Sequence, residues 1–89
     1  MRIEKTNHFF RKFKKYLASL NSKQLDLVKE RMRLFSQNPF LPQFRTHKLT
    51  SGEWAFTVLR DDERNDRIVF EKSGETIILL AVGSHDEVY

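Results

Sequence analysis

The chain has no cysteine, three glycines, two prolines and a single tryptophan. Lack of cysteine removes any disulfide framework and any thiolate metal site. No apolar stretch approaches the roughly 18 residues that a membrane span needs. The amino terminus is polar and basic with no apolar signal core, so a cytoplasmic protein with no membrane association is expected. There is no Gly-rich phosphate loop, no Ser-His-Asp arrangement and no dinucleotide fingerprint. The three histidines, His8, His47 and His85, lie far apart and lack the paired spacing of a zinc site, so neither metal nor cofactor is expected. No repeat, linker or low-complexity stretch interrupts the chain.

What is present fits one small domain over residues 1–89, large enough for a single modest core. The charge is unevenly spread. Residues 1–48 carry twelve Lys and Arg against three acids, and residues 49–89 carry four against nine, which together give the net +4. A basic half of this density suits a polyanionic partner such as nucleic acid, or an acidic protein that mimics one. The competing reading is a solvated face of Lys-rich helices.

Met1 to Lys5 alternates apolar and polar residues, as a half-buried strand does. Asn7 is placed to cap a helix whose apolar face is Phe9, Phe13, Tyr16, Leu17 and Leu20, with Arg11, Lys12, Lys14 and Lys15 roughly opposite. Asn21 and Gln24 resemble a capping box that opens a second helix. Its stripe is Leu25, Val28, Met32 and Phe35. Leu27 and Leu34 lie on another side, which predicts burial on two sides, and Asn38-Pro39 ends the helix. Phe40 to Glu53 has no regular period and reads as a loop. Three strand patterns come next, beginning at Trp54, Arg67 and Thr76. The last is apolar on both faces, Thr76 to Val82, and is expected to be central. Polar turns at Asp61–Asp66 and Ser73–Glu75 join them as antiparallel neighbours. The expected fold class is therefore α+β: an N-terminal strand, a two-helix hairpin, then three antiparallel strands in one curved sheet. The first strand joins at an edge or beside the last, and the helices cover one face and leave the other for a substrate.

The chemistry-bearing residues are few. His85 follows the apolar strand, where an imidazole can move a proton near neutral pH. Arg67 opens a strand, and its planar fork fits phosphate oxygens. His47 and Lys48 sit in the long loop. Two imidazoles and a guanidinium suit RNA cleavage, in which a base takes the 2′-hydroxyl proton, an acid protonates the leaving 5′-oxygen and a cation stabilises the phosphorane. Each residue also has a plainer reading. His85 could hydrogen-bond at a strand end, Arg67 could pair with Asp66 or Glu71, and His47 could bond to loop backbone. His8 beside the apolar helix face reads as structural, and Trp54 as core. Tyr89 could stack on a base or pack as a tail.

Asn38-Pro39, His47-Lys48-Leu49 with Gly52, Trp54-Ala55-Phe56, Asp66-Arg67-Ile68-Val69-Phe70 and the run from Ile78 to Tyr89 together resemble the RelE/ParE superfamily of bacterial and archaeal type II toxins. The likeness runs in order over nearly the whole chain, and Gly83-Ser84-His85-Asp86-Glu87-Val88-Tyr89 is its most specific part. It implies an mRNA endonuclease that cuts translated message in the ribosomal decoding site, and a cognate antitoxin that blocks it in a toxin–antitoxin hetero-oligomer. The family's loop histidine, strand arginine, C-terminal histidine and late aromatic match His47, Arg67, His85 and Tyr89. Asp66 lies where some relatives use an acid. Thr57 departs from the pattern, since relatives often carry arginine there, and Arg60 is the candidate replacement. Lys48, Arg45 and Arg60 are expected to hold the RNA backbone. The ParE branch shares the fold but poisons DNA gyrase, so the alternatives are a non-nuclease gyrase inhibitor or a non-catalytic RNA-binding module. The histidines favour the nuclease.

Overall fold

The computed structural model describes residues 1–85. Tyr89 and the last residues of the closing motif lie outside them. The order is β1 (Arg2–Lys5), α1 (Asn7–Ala18), α2 (Ser22–Gln37), a 3-10 turn (Pro42–Phe44), β2 (His47–Lys48), β3 (Trp54–Arg60), β4 (Asn65–Ser73) and β5 (Thr76–Ser84).

Local chemistry sets the helix ends. Thr6, not Asn7, is the N-cap of α1, and its side chain accepts from the Phe9 amide at 3.0 Å. Asn21 and Gln24 form the expected reciprocal capping box on α2, with bonds of 2.8 and 3.0 Å. Asn38 closes that helix before Pro39, which cannot continue it.

The five strands form one sheet in the order β1-β5-β4-β3-β2. β1 is an edge strand parallel to β5, and the other pairs are antiparallel. Two expectations change. β5 is interior but not central, because β4 takes the middle place. The aperiodic loop also contributes a strand: His47 and Lys48 pair with Ala55 and Trp54. A two-residue strand is too short to show a period in sequence.

The core lies between the helices and one face of the sheet. Phe35 of α2 stacks on Phe56 with ring centroids 3.9 Å apart, and meets Phe70 and Phe44 edge-on at 5.4 and 5.7 Å. Such offset and edge contacts add to the area these rings bury. Phe9, Val28, Ile68, Ile77 and Leu79 complete the cluster. Leu34 packs against it, but Leu27 is 44% exposed, so α2 is not buried on two full sides.

Arg31 clasps α2 to the sheet. Its guanidinium donates to the carbonyls of Gln43 and Thr57 at 2.9 Å each and lies 5.0 Å from the Phe44 ring centre. Burial lowers its pKa from the usual arginine value.

Candidate active site

Residues opposite one another on neighbouring strands share a face of the sheet. Two rows therefore define the face turned away from Phe56, Ile68 and Phe70. One runs His47, Ala55, Val69, Ala81 across β2 to β5. The next runs Thr57, Arg67, Gly83 across β3 to β5. Arg67 thus has a small residue on each side. Within this pair of rows Ala55, Thr57 and Val69 are buried, so the face is a tightly filled floor rather than a freely exposed one. The Thr57 hydroxyl is buried with no hydrogen-bond partner among the described residues.

A bulge between Thr57 and Leu59 resets the alternation of the rest of β3. Leu59 pairs with Asp66 and joins the core, and Arg60 pairs with Asn65. The extra residue returns Arg60 to the Arg67 face, which an unbroken alternation from Thr57 would not do. Arg60 is exposed at the end of β3.

His47 is oriented from below. Arg45 has left-handed backbone, with φ of 51°, and turns the chain out of the 3-10 segment into β2. The His47 Nδ1 lies 3.0 Å from the Arg45 carbonyl. A carbonyl only accepts, so Nδ1 carries the proton, and in the neutral ring the basic lone pair falls on Nε2. The backbone bond foreseen as the plain reading is present, and it fixes a tautomer able to take a proton. Arg45 itself is exposed.

His85 follows β5 two residues after Gly83, which pairs with Arg67, and is partly buried. The register therefore brings the end of β5 to the Arg67 row. Lys48 goes elsewhere. It pairs with Trp54, alternates with His47 and places its ammonium 5.9 Å from the Trp54 ring centre. Trp54 packs against the core, stacked on Phe70 at 6.4 Å.

Asp66 is not on the Arg67 face. It is 3% exposed and turned to the helices, where its Oδ2 accepts from the Tyr16 hydroxyl and the Arg64 Nε, both at 2.8 Å. Arg64 also lies over the Tyr16 ring at 5.4 Å. The acid beside Arg67 in sequence is therefore neutralised by Arg64. Asp61 ties the same turn down, accepting from the Glu63 and Arg64 amides and from Gln24 of α2 at 3.1 Å. The Gln24 bond, then the backbone bonds, hold the Asp61 pKa below the usual carboxylate range.

Tyr16, Arg31 and Arg64 carried no sequence signal of these roles, because their partners lie on other elements or depend on a turn geometry. Among the described residues, no three of His, Asp and Glu gather into a group that could hold a metal ion.

No protein-family model and no curated protein sequence matches the chain. Solved structures do. YafQ in the DinJ–YafQ complex of E. coli is 19% identical, with a TM-score of 0.74 over 100% of this chain and 99% of that one. A copper-bound mutant toxin from Helicobacter pylori is 23% identical, with a TM-score of 0.70 over 100% and 99%. The YoeB/ParE toxin from Agrobacterium tumefaciens is 14% identical, with a TM-score of 0.66 over 96% and 99%. A likeness that spans both chains almost completely shows that this chain, with two helices on one mixed sheet, has the fold of these toxins.

Proposed function

We propose that this chain is the toxin of a type II toxin–antitoxin pair and cleaves mRNA on the ribosome by metal-independent acid–base chemistry in the cytoplasm. The observation that carries the reading is the register that sets Arg67 beside Gly83, two residues from His85, one row from His47. The toxin fold supports it, and the DinJ–YafQ complex supports a protein partner of the antitoxin kind.

The chemistry needs three groups. One base takes the proton of a ribose 2′-hydroxyl, whose oxygen then attacks the adjacent phosphorus. The bond from phosphorus to the 5′-oxygen breaks, an acid protonates that oxygen, and a cyclic phosphate and a 5′-hydroxyl remain. Nε2 of His47 is suited to the first proton transfer, and His85 is the partner that donates or accepts the other. Arg67 offsets the charge on the phosphorane. Arg60 and Arg45 bind backbone phosphates. Lys48 contributes at longer range from its place over Trp54, and Tyr89 supplies a stacking ring. Asp66 acts through its neighbours rather than on the substrate.

Purified protein is expected to cut message on programmed ribosomes with a transition-metal chelator present and magnesium kept for the ribosome. His85→Ala should lower that rate by about 10²–10⁴-fold, the usual share of general acid–base catalysis. Undiminished cleavage would remove His85 from the mechanism. Growth arrest that survives loss of both His47 and His85, with intact message and a DNA-damage response, would favour gyrase inhibition instead.

A further inference from the structure

β1 pairs with β5 only as far as Leu79. Beyond that point no strand among the described residues lies on the outer side of β5, and α1 packs along it. A groove of about 420 Å3 opens there. One wall is His8 and Lys12 of α1, the floor is Leu80, Ala81 and Val82 with Val69, and Glu53 stands at the far side. Ala81 and Val69 belong to the row that ends at His47, so the groove runs into the candidate active site. Its volume suits a small ligand.

Lys12 gives this wall a positive charge. His8 and Lys12 are one helical turn apart, and Arg11 and Lys15 continue the same side of α1 at helical spacing. All four are exposed. Such a stripe tracks a phosphate backbone, and imidazole N–H and ammonium groups both donate to phosphate oxygens. Glu53 repels phosphate, so a nucleotide entering the groove turns its base toward that end. The Ser51 hydroxyl donates to Glu53 Oε1 at 3.3 Å and orients the carboxylate. A carboxylate accepts from the amino group of cytosine or adenine but not from the carbonyl at the matching position of uracil. The small apolar floor suits the face of a base.

We propose that this groove is a nucleotide subsite beside the cleavage site: His8 and Lys12 hold a backbone phosphate of the RNA, and Glu53 takes the amino edge of its base. The inference deepens the RNA-cleaving reading and rests on it for the choice of RNA as ligand. It also assigns a binding role to His8, which its sequence context marked as structural.

The test is fluorescence anisotropy of the full chain with 5′-labelled ten-nucleotide oligomers of rC, rA and rU, between 50 and 200 mM salt. Lys12→Gln and His8→Ala should weaken all three oligomers alike, by about 3- to 10-fold at the low-salt end, and Lys12→Gln should reduce the salt slope by about one. Glu53→Gln should cut a preference for rC and rA over rU by roughly 5-fold or more. Lys29→Gln, on an exposed part of α2, serves as the control. Unchanged affinity and slope in both α1 variants, or an equal loss in Lys29→Gln, overturns the subsite. So does a base preference that ignores Glu53→Gln. Wild-type protein that cuts message on ribosomes but binds no oligomer sinks the subsite and leaves the nuclease standing. Oligomer binding with the expected variant pattern, but no cleavage on ribosomes, does the reverse.

Discussion

The Tyr16 hydroxyl donates to the Asp66 carboxylate at 2.8 Å and so joins α1 to β4 at the residue before Arg67. Both residues are nearly inaccessible to water. Tyr16→Phe keeps the ring and removes the bond, and it should lower stability by about 1.5–3 kcal/mol, the range for hydrogen bonds to a charged group. Urea denaturation at neutral pH measures this.

The same pair predicts a pH dependence. Burial, and then the bond to Asp66, push the Tyr16 hydroxyl above its usual value of 10.0. Near that pH the unfolded chain loses this proton while the folded chain keeps it. Stability should therefore be complete below about pH 10 and fall as pH rises above it, by up to about 1.4 kcal/mol per unit. Tyr16→Phe should show a correspondingly flatter curve between pH 9 and 11. Parallel curves for the two proteins would show that Tyr16 does not set this limb.

Asp66 separates positioning from catalysis. Its single oxygen Oδ2 accepts both bonds, and the amide oxygen of asparagine can accept the same two. Asp66→Asn should retain most of the ribosome-dependent cleavage with the pH profile unshifted. Asp66→Ala should lose stability by about 1–3 kcal/mol, since it leaves the buried Tyr16 hydroxyl without its acceptor and the partly exposed Arg64 without its ion pair. Cleavage abolished in Asp66→Asn, at unchanged melting temperature, would make Asp66 a reacting group after all.

Arg31 bears on the site from behind. Arg31→Met leaves the carbonyls of Gln43 and Thr57 without their shared donor and should cost about 2–3 kcal/mol. Thr57 is the strand partner of Arg67, so the loss should also speed amide exchange at that row. Hydrogen exchange read residue by residue would check it. Protection that drops only at fraying ends would mean that the clasp does not brace the site.

Arg45 tests whether its side chain or only its backbone matters. A left-handed conformation costs a non-glycine residue roughly 1–2 kcal/mol, which glycine avoids at some cost in entropy. Arg45→Gly should leave the melting temperature within a few degrees while raising KM for message by several-fold. An unchanged KM would limit Arg45 to its carbonyl, which orients His47.

Much of this molecule is legible in its residues because the signals are local. The capping box at Asn21 and Gln24, the stop at Pro39 and the alternation of β3 each depend on neighbours a few positions away. His47, Arg67 and His85 stand out by residue type and by resemblance to a family; the register puts His47 and Arg67 on one face of the sheet and ends β5 one residue before His85. Leu27 misled because an apolar residue off the main stripe can be buried or solvated, and only a partner decides which. The side on which Asp66 lies follows from its adjacency to Arg67 in a strand, which means the opposite face.

The sequence alone determined the α+β order, both ends of α2, the basic amino-terminal half and the residues able to move protons, since propensity, capping and side-chain chemistry act over short distances. Only the tertiary structure decided that Asp66 turns inward to Tyr16, that Arg60 returns to the Arg67 face, that Lys48 leaves it, and that His8 stands over a groove. The return of Arg60 depends on a one-residue bulge in β3 and the groove on where β1 stops pairing with β5, while Asp66 and Lys48 follow from alternation with Arg67 and His47. A strand's side chains alternate with a period of two, so one extra residue reverses every assignment beyond it. The partner strands, not the local sequence, set where it falls.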